Sequence, residues 1–171
     1  MNYFELFGLS QDYNLDTQSL AETYRELQKR FHPDKFANAS ERDKLLALQK
    51  ASEINDAFHT LKAPLRRAEY LLALAGLDIR GEQQTLRDPG FLMQQMEWRE
   101  QLEEIAGSAN PDDGIVELQQ TLQAEKTALQ QTLQQCLAEQ AFEQAANAVR
   151  KLKFVFKFED ELEQLEESLL E

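Results

Sequence analysis

Three side chains in this sequence are of the kind that carry acid–base or metal chemistry: His32, Asp34 and His59. A metal-dependent hydrolase built on them needs ligands at a spacing that points them to one ion. The chain has only two histidines, and they do not stand in the H-E-x-x-H spacing that places two on one helix face. No Gly-rich loop that would cradle a phosphate is present. The single cysteine, Cys136, excludes an internal disulfide and a thiolate metal cluster, and it sits on an apolar helical stripe where an inert core thiol belongs. What is left for His32-Pro33-Asp34 is recognition: an imidazole and a carboxylate on either side of a residue whose ring fixes the backbone between them.

The elements that must position this tripeptide can be read on both sides of it. Asp16 to Phe31 (DTQSLAETYRELQKRF) carries Leu20, Tyr24, Leu27 and Phe31 at helical spacing, with Asp16 as N-cap and Leu15 able to staple onto Leu20. Arg25, Lys29 and His32 fall on another stripe of the same cylinder, and Arg30 adds a further cation. Pro33 lacks an N–H and drives His32 out of the α region, so the helix ends there and presents His32 and Asp34 on an exposed corner. Lys35 to Ala39 reads as a short loop. Ser40 followed by Asp43 opens a second helix whose face is Ala47, Leu48, Ala51, Ile54, Asn55, Phe58 and Leu61. Two amphipathic helices on a short loop pack antiparallel, with the tripeptide at the tip. Pro64 ends the second helix, and Leu65 to Ala75 forms a third, closed by Gly76 in an αL position.

Composition sets the class. Helix formers dominate, with four Pro, six Gly and no alternating β-branched run, so the fold class is all-α. The net charge of −13 argues against a nucleic-acid partner, and no apolar stretch approaches the roughly 20 residues that cross a membrane. Residues 1–76 hold 10 Lys/Arg and 11 Asp/Glu, whereas residues 77–171 hold 8 and 20. The two halves therefore suit different partners. The start, MNYFELFGLS, has neither the basic opening nor the apolar run of a signal peptide, and a reducing bacterial cytoplasm is the expected location.

Residues 77–88 lack a period and form the expected linker between a first domain, 1–76, and a second, 89–171. Asp88-Pro89 reads as N-cap and first residue of a new helix, closed by Gly107 to Pro111, and Asn110-Pro111-Asp112-Asp113 starts another. Its stripe is Ile115, Leu118, Leu122, Leu129, Leu133, Cys136 and Leu137. Phe142, Ala145, Ala146, Val149, Leu152 and Phe156 are out of phase with it, which places a break at Glu139–Ala141 and makes a three-helix bundle.

On the helix from Pro89 to Ala106, Phe91, Trp98, Leu102 and Ile105 suffice for a core. Leu92, Met93 and Met96 lie on the other side, followed by Glu97, Glu100, Glu103 and Glu104. Phe154 points away from the Val149/Phe156 stripe and extends the same patch. Adaptable apolar side chains bordered by acids make either a protein-binding surface or a face that packs on the first domain.

The first half resembles the J-domain of DnaJ-type co-chaperones. The likeness lies in Tyr3-Phe4-Glu5-Leu6-Phe7-Gly8-Leu9, in QKRFHPDK at Gln28–Lys35 and in Ile54-Asn55-Asp56-Ala57-Phe58. Thr60 to Leu72 (TLKAPLRRAEYLL), Phe91-Leu92-Met93 and Val149-Arg150-Lys151-Leu152 extend it, so that the chain resembles the HscB family of iron–sulfur-cluster co-chaperones from end to end. The resemblance implies a non-enzyme without a cofactor. Its J-domain would stimulate ATP hydrolysis by a DnaK-class chaperone, HscA, through His32, Pro33, Asp34, Arg25, Lys29 and Arg30. Its bundle would bind the scaffold protein IscU through Leu92, Met93, Met96, Glu97, Glu100, Glu104 and Phe154. The alternative is a general J-protein that holds unfolded clients on the Leu/Met patch.

Overall fold

The computed structural model describes residues 1–81 and 88–170, and within them every regular element is helical. The chain divides into two compact units, Met1–Asp78 and Ile79–Glu171. Of the expected linker, residues 82–87 lie outside the described residues, while Ile79 is buried.

The first unit is built from α1 (Tyr3–Leu6), α2 (Thr17–Arg30), a 3-10 turn (Pro33–Phe36), α3 (Glu41–Lys62) and α4 (Pro64–Leu74). Asp16 caps α2 by accepting from the N–H groups of Gln18 and Ser19, at 3.0 and 3.2 Å. Ser40 caps α3 by accepting from Asp43 N. α2 and α3 close on each other through Leu20, Leu27, Ile54, Ala57 and Leu61, with Phe4, Phe7 and Tyr70 sealing the end away from the tip. Tyr24 lies flat on Phe58, ring centroids 3.9 Å apart, and its hydroxyl donates to Asn55 Oδ1 at 2.7 Å. This pair fixes the register of the hairpin and therefore the height of its tip. Arg67, almost wholly buried, donates to Leu61 O and Tyr13 O and lies over the Tyr13 ring, holding the loop before α2 against the end of α3. α4 ends in a Schellman motif, with Gly76 at φ +91° and Leu77 N bonded to Leu72 O.

Two details of the hairpin differ from expectation. Leu48 does not belong to the packed face of α3: Leu45, Leu46 and Leu48 are all more than half exposed, and Ala57 takes a core place instead. Adding Leu48 to a stripe already centred on Ala47, Ile54 and Leu61 widened it beyond what α2 can cover. Further, part of the expected Lys35–Ala39 loop is the 3-10 turn.

The second unit holds α5 (Pro89–Ala106), α6 (Asp112–Ala138) and α7 (Phe142–Leu169). α6 and α7 pack along their length, and α5 lies on both. The α6 stripe is buried from Ile115 to Cys136, with Leu137 half-buried. On α7 the core continues through Val155, Phe158 and Leu162, and Phe156 is only half-buried beneath Lys126. The α6 start is capped by no side chain, Asn110 included.

Between α6 and α7 the chain turns at Gln140, the one non-glycine residue with positive φ among those described, at +59°. Ala141 N bonds to Cys136 O and Gln140 N to Leu137 O, a Schellman closure with a glutamine where glycine is usual. The αL region costs a β-carbon about 1 kcal/mol or somewhat more. Gln140→Gly should therefore raise the melting temperature by a few degrees in a thermal denaturation scan; a lower value would contradict this account of the turn.

Candidate functional sites

At the tip of the first unit, His32 has φ −62° and ψ 135°, the extended conformation that a following proline imposes. Its side chain then turns back on the chain. Asp34 N donates to His32 Nδ1 at 3.2 Å, so the histidine is the N-cap of the 3-10 turn that Pro33 begins. With Nδ1 accepting, the ring's donor is Nε2–H, on the side away from this bond. The Asp34 carboxylate lies 3.5 Å from Nδ1 through Oδ2, and the two side chains are 57% and 91% exposed. The corner is thus rigid in its backbone and open in its functional groups. Arg25, Lys29 and Arg30 are exposed along α2, and none of them is tied into an ion pair among the described residues. His59 lies on α3 with its ring edge toward Phe58, and no group of three or more His, Cys, Asp and Glu able to hold a metal ion occurs among the described residues. What the tip offers is one carboxylate, one imidazole donor and three unpaired cations to a complementary protein surface.

In the second unit α5 is set by its first residue. Asp88 accepts from Phe91 N at 3.0 Å and from Lys151 Nζ at 2.8 Å, which pins the start of α5 to α7. The Lys151 ammonium, then the Phe91 amide, hold the Asp88 carboxyl below its ordinary range. A depressed folded-state value means that this contribution is complete above the unfolded carboxylate's pKa near 4 and is lost as pH falls through the lower folded one. Asp88→Asn keeps a capping side chain but loses the charge. Its melting temperature should trail the native chain's by a constant amount from pH 7 to about 5 and converge with it at more acid pH.

With α5 so anchored, Phe91, Trp98 and Ile105 face inward, and Leu92, Met93 and Met96 stand 53, 65 and 59% exposed. Glu97, Glu100, Glu103 and Glu104 continue that face, all exposed and without an ion-pair partner among the described residues. The one cation of α5, Arg99, is drawn off to Glu161 at 2.6 Å and lies over the Phe158 ring. The face is therefore apolar at one end, anionic at the other and free of positive charge. Covering each exposed Leu or Met side chain is worth about 1–2 kcal/mol.

Phe154 is placed differently from expectation. It is half-buried, in an aromatic cluster with Phe91 at 5.8 Å, Trp98 at 6.5 Å and Phe158 at 6.1 Å between centroids. Rather than simply extending the exposed patch, it packs behind α5, because the α7 core turns toward Val155 and Phe158. Sequence reasoning missed this cluster and the Asp88–Lys151 anchor. An Asp-Pro cap does not name its cation, and an aromatic residue off the main stripe does not announce its partners.

Residues 2–70 match the family model described as the DnaJ domain, and residues 87–163 match that described as the HSCB C-terminal oligomerisation domain. The co-chaperone protein HscB homolog of Aeromonas hydrophila is 57% identical over all of this chain and 99% of its own length. The chain belongs to the HscB co-chaperone family. Among solved structures, the HscB chaperone of Vibrio cholerae is 51% identical, with a TM-score of 0.92 over 98% of this chain and 99% of the other. The human HscB co-chaperone is 28% identical, with a TM-score of 0.85 over 96% and 81%. The His-Pro-Asp corner lies within the segment of this HscB-family chain that matches the DnaJ domain, and the Leu/Met face within the segment that matches the HscB-specific domain. Membership makes the chain a J-domain co-chaperone, which implies a chaperone partner of the DnaK class and a scaffold. No helix among the described residues is long and apolar enough to cross a membrane.

Proposed function

We propose that this co-chaperone serves iron–sulfur cluster assembly by bridging two proteins in the bacterial cytoplasm. The first unit docks on the ATPase of a specialised DnaK-class chaperone, HscA, and stimulates its ATP hydrolysis; the second binds the scaffold IscU and delivers it. Asp34 and His32 engage the ATPase, Pro33 fixes their presentation, and Arg25, Lys29 and Arg30 pair with its acidic groups. Leu92, Met93 and Met96 are the apolar contact to the scaffold, Glu97, Glu100 and Glu104 its polar border, and Phe154 supports that face from behind and lends its open edge.

The observation that carries this reading is the solvent-facing Leu92/Met93/Met96 stripe on a helix whose core face is already complete. A chain that needed those side chains only for its own packing would not leave them open. The test is the steady-state ATPase rate of the purified chaperone with this chain alone and with chain plus scaffold. Stimulation by the chain, increased when the scaffold is added, supports the reading; equal rates with and without the chain refute it. The chaperone contact is led by exposed charges, so stimulation at fixed concentration should fall as salt is raised.

A further inference from the structure

The positive charge that the outer face of α5 lacks is gathered on α7. Residues 77–171 hold 8 Lys and Arg against 20 Asp and Glu, and half of those cations are Arg150, Lys151, Lys153 and Lys157. No acid stands between Glu143 and Glu159. In so acidic a unit this run is a local reversal of sign, and its place on the helix gives it a direction.

Two ion pairs mark the side of α7 that meets α5: Lys151 with Asp88 at 2.8 Å and Glu161 with Arg99 at 2.6 Å. Phe154 is on that side too, edge-on to Phe91 at 5.8 Å. Arg150 lies four residues before Phe154 and Lys157 three after it, so both are its neighbours on the helix surface. At about 100° per residue, Arg150, Lys157 and Lys153 step in turn from Phe154 toward solvent, away from α5. Arg150 is half-buried and donates to Asn147 Oδ1 at 2.7 Å, whereas Lys153 and Lys157 are exposed. Lys157 has no ion-pair partner among the described residues, and the exposed Asp160 closes the stretch. Asp88 and Glu161 are held by α7 and α5 as above, and Glu159 lies 3.2 Å from Lys126.

On α5 the same flank is marked by Asp88 and Arg99. Leu92 and Met96 lie beside it, four residues after the one and three before the other. Met93, Glu97, Glu100 and Glu104 lie farther round, turned from α7. Across the two helices the surface therefore reads acid, apolar, base: the α5 glutamates, then Leu92, Met96 and the open edge of Phe154, then the α7 cations. An apolar strip between borders of opposite sign accepts a partner in one sense only, because turning the partner round sets like charge against like. A nucleic-acid backbone would suit the cations, but the acids one helix away repel it.

We infer that the α7 cations are a second border of the scaffold face and take carboxylates of the scaffold, while the α5 glutamates take its cations. This polarity fixes the sense in which the cargo sits. The inference rests on the reading of the Leu92/Met96 face as the scaffold site and adds to it the kind of surface the scaffold must bring. Rim charges act chiefly on the rate of encounter, so the effect belongs in association rather than dissociation.

Association and dissociation rates of the full chain with purified scaffold, at about 50 mM and about 500 mM salt, test this. Lys153→Gln with Lys157→Gln should slow association about three- to tenfold at low salt, and the deficit should close at high salt. Both side chains are exposed, so the melting temperature should hold. Thr127→Glu with Gln131→Glu, at exposed positions of α6, shifts the net charge equally and should change association less than about twofold. Unchanged association in the lysine variant overturns the border, as does an equal loss in the α6 variant, which would reduce the effect to net charge. A native chain that binds no scaffold, or binding that survives Leu92→Ala with Met96→Ala intact, overturns the reading of the face itself.

Discussion

His32→Gln should abolish stimulation of the chaperone's ATP hydrolysis while leaving scaffold affinity and the melting temperature where they are. The reason is in the double use of the imidazole. Nδ1 holds the Asp34 amide, and the opposite nitrogen is the donor left for a partner. A glutamine has one carboxamide on a longer, more flexible stem and cannot hold the same two positions together. The Asp34 carboxylate then loses the turn that aims it. Because His32 and Asp34 are exposed and outside the core, little folding free energy rides on them. The check is a titration of chaperone ATPase rate beside calorimetric binding to the scaffold. Loss of both activities in a folded variant would mean that the tip and the bundle face are not separate sites.

The helices of both units were legible in the sequence because their signals are local. Asp16, Ser40 and Asp88 cap as their positions suggest, Pro33 and Pro64 break where they stand, and Gly76 takes the αL place. The exposure of Leu92, Met93 and Met96 was legible too, since Phe91, Trp98 and Ile105 already fill one side of α5. What was not legible depends on partners distant in sequence. Phe156 looked like core and Phe154 like surface, yet both are half-buried, Phe154 in the aromatic cluster behind α5 and Phe156 beneath Lys126. Leu48 looked buried because periodicity does not say how wide a neighbouring helix is. The His32 cap on Asp34 N was hidden for another reason: histidine is a rare N-cap, and only the fixed geometry of Pro33 brings Nδ1 within reach.

Leu92→Ala combined with Met96→Ala should weaken scaffold binding by about 2–3 kcal/mol, roughly 30- to 150-fold, the loss expected when two central apolar contacts are truncated. Both side chains are more than half exposed in the free chain, so their removal opens no cavity and the fold should melt as before. Stimulation of the chaperone without scaffold should be untouched, since the His-Pro-Asp corner is unaltered. Titration calorimetry against the purified scaffold gives the affinity, and the same ATPase assay gives the control. A change smaller than about threefold would mean that the scaffold binds elsewhere and that the apolar end of α5 serves another partner.

If one molecule must hold the scaffold and trigger the chaperone together, two defective chains cannot share the task. Tethering raises the effective concentration of the cargo only when both faces are on the same polypeptide. The most direct measurement is therefore the scaffold-dependent increase in chaperone ATPase rate in an equimolar mixture of the His32→Gln chain and the Leu92→Ala/Met96→Ala chain. The bridge predicts that the mixture shows no increase beyond that of the second chain alone. An increase matching the native chain's would show that the two faces act independently, and the bridge would be wrong.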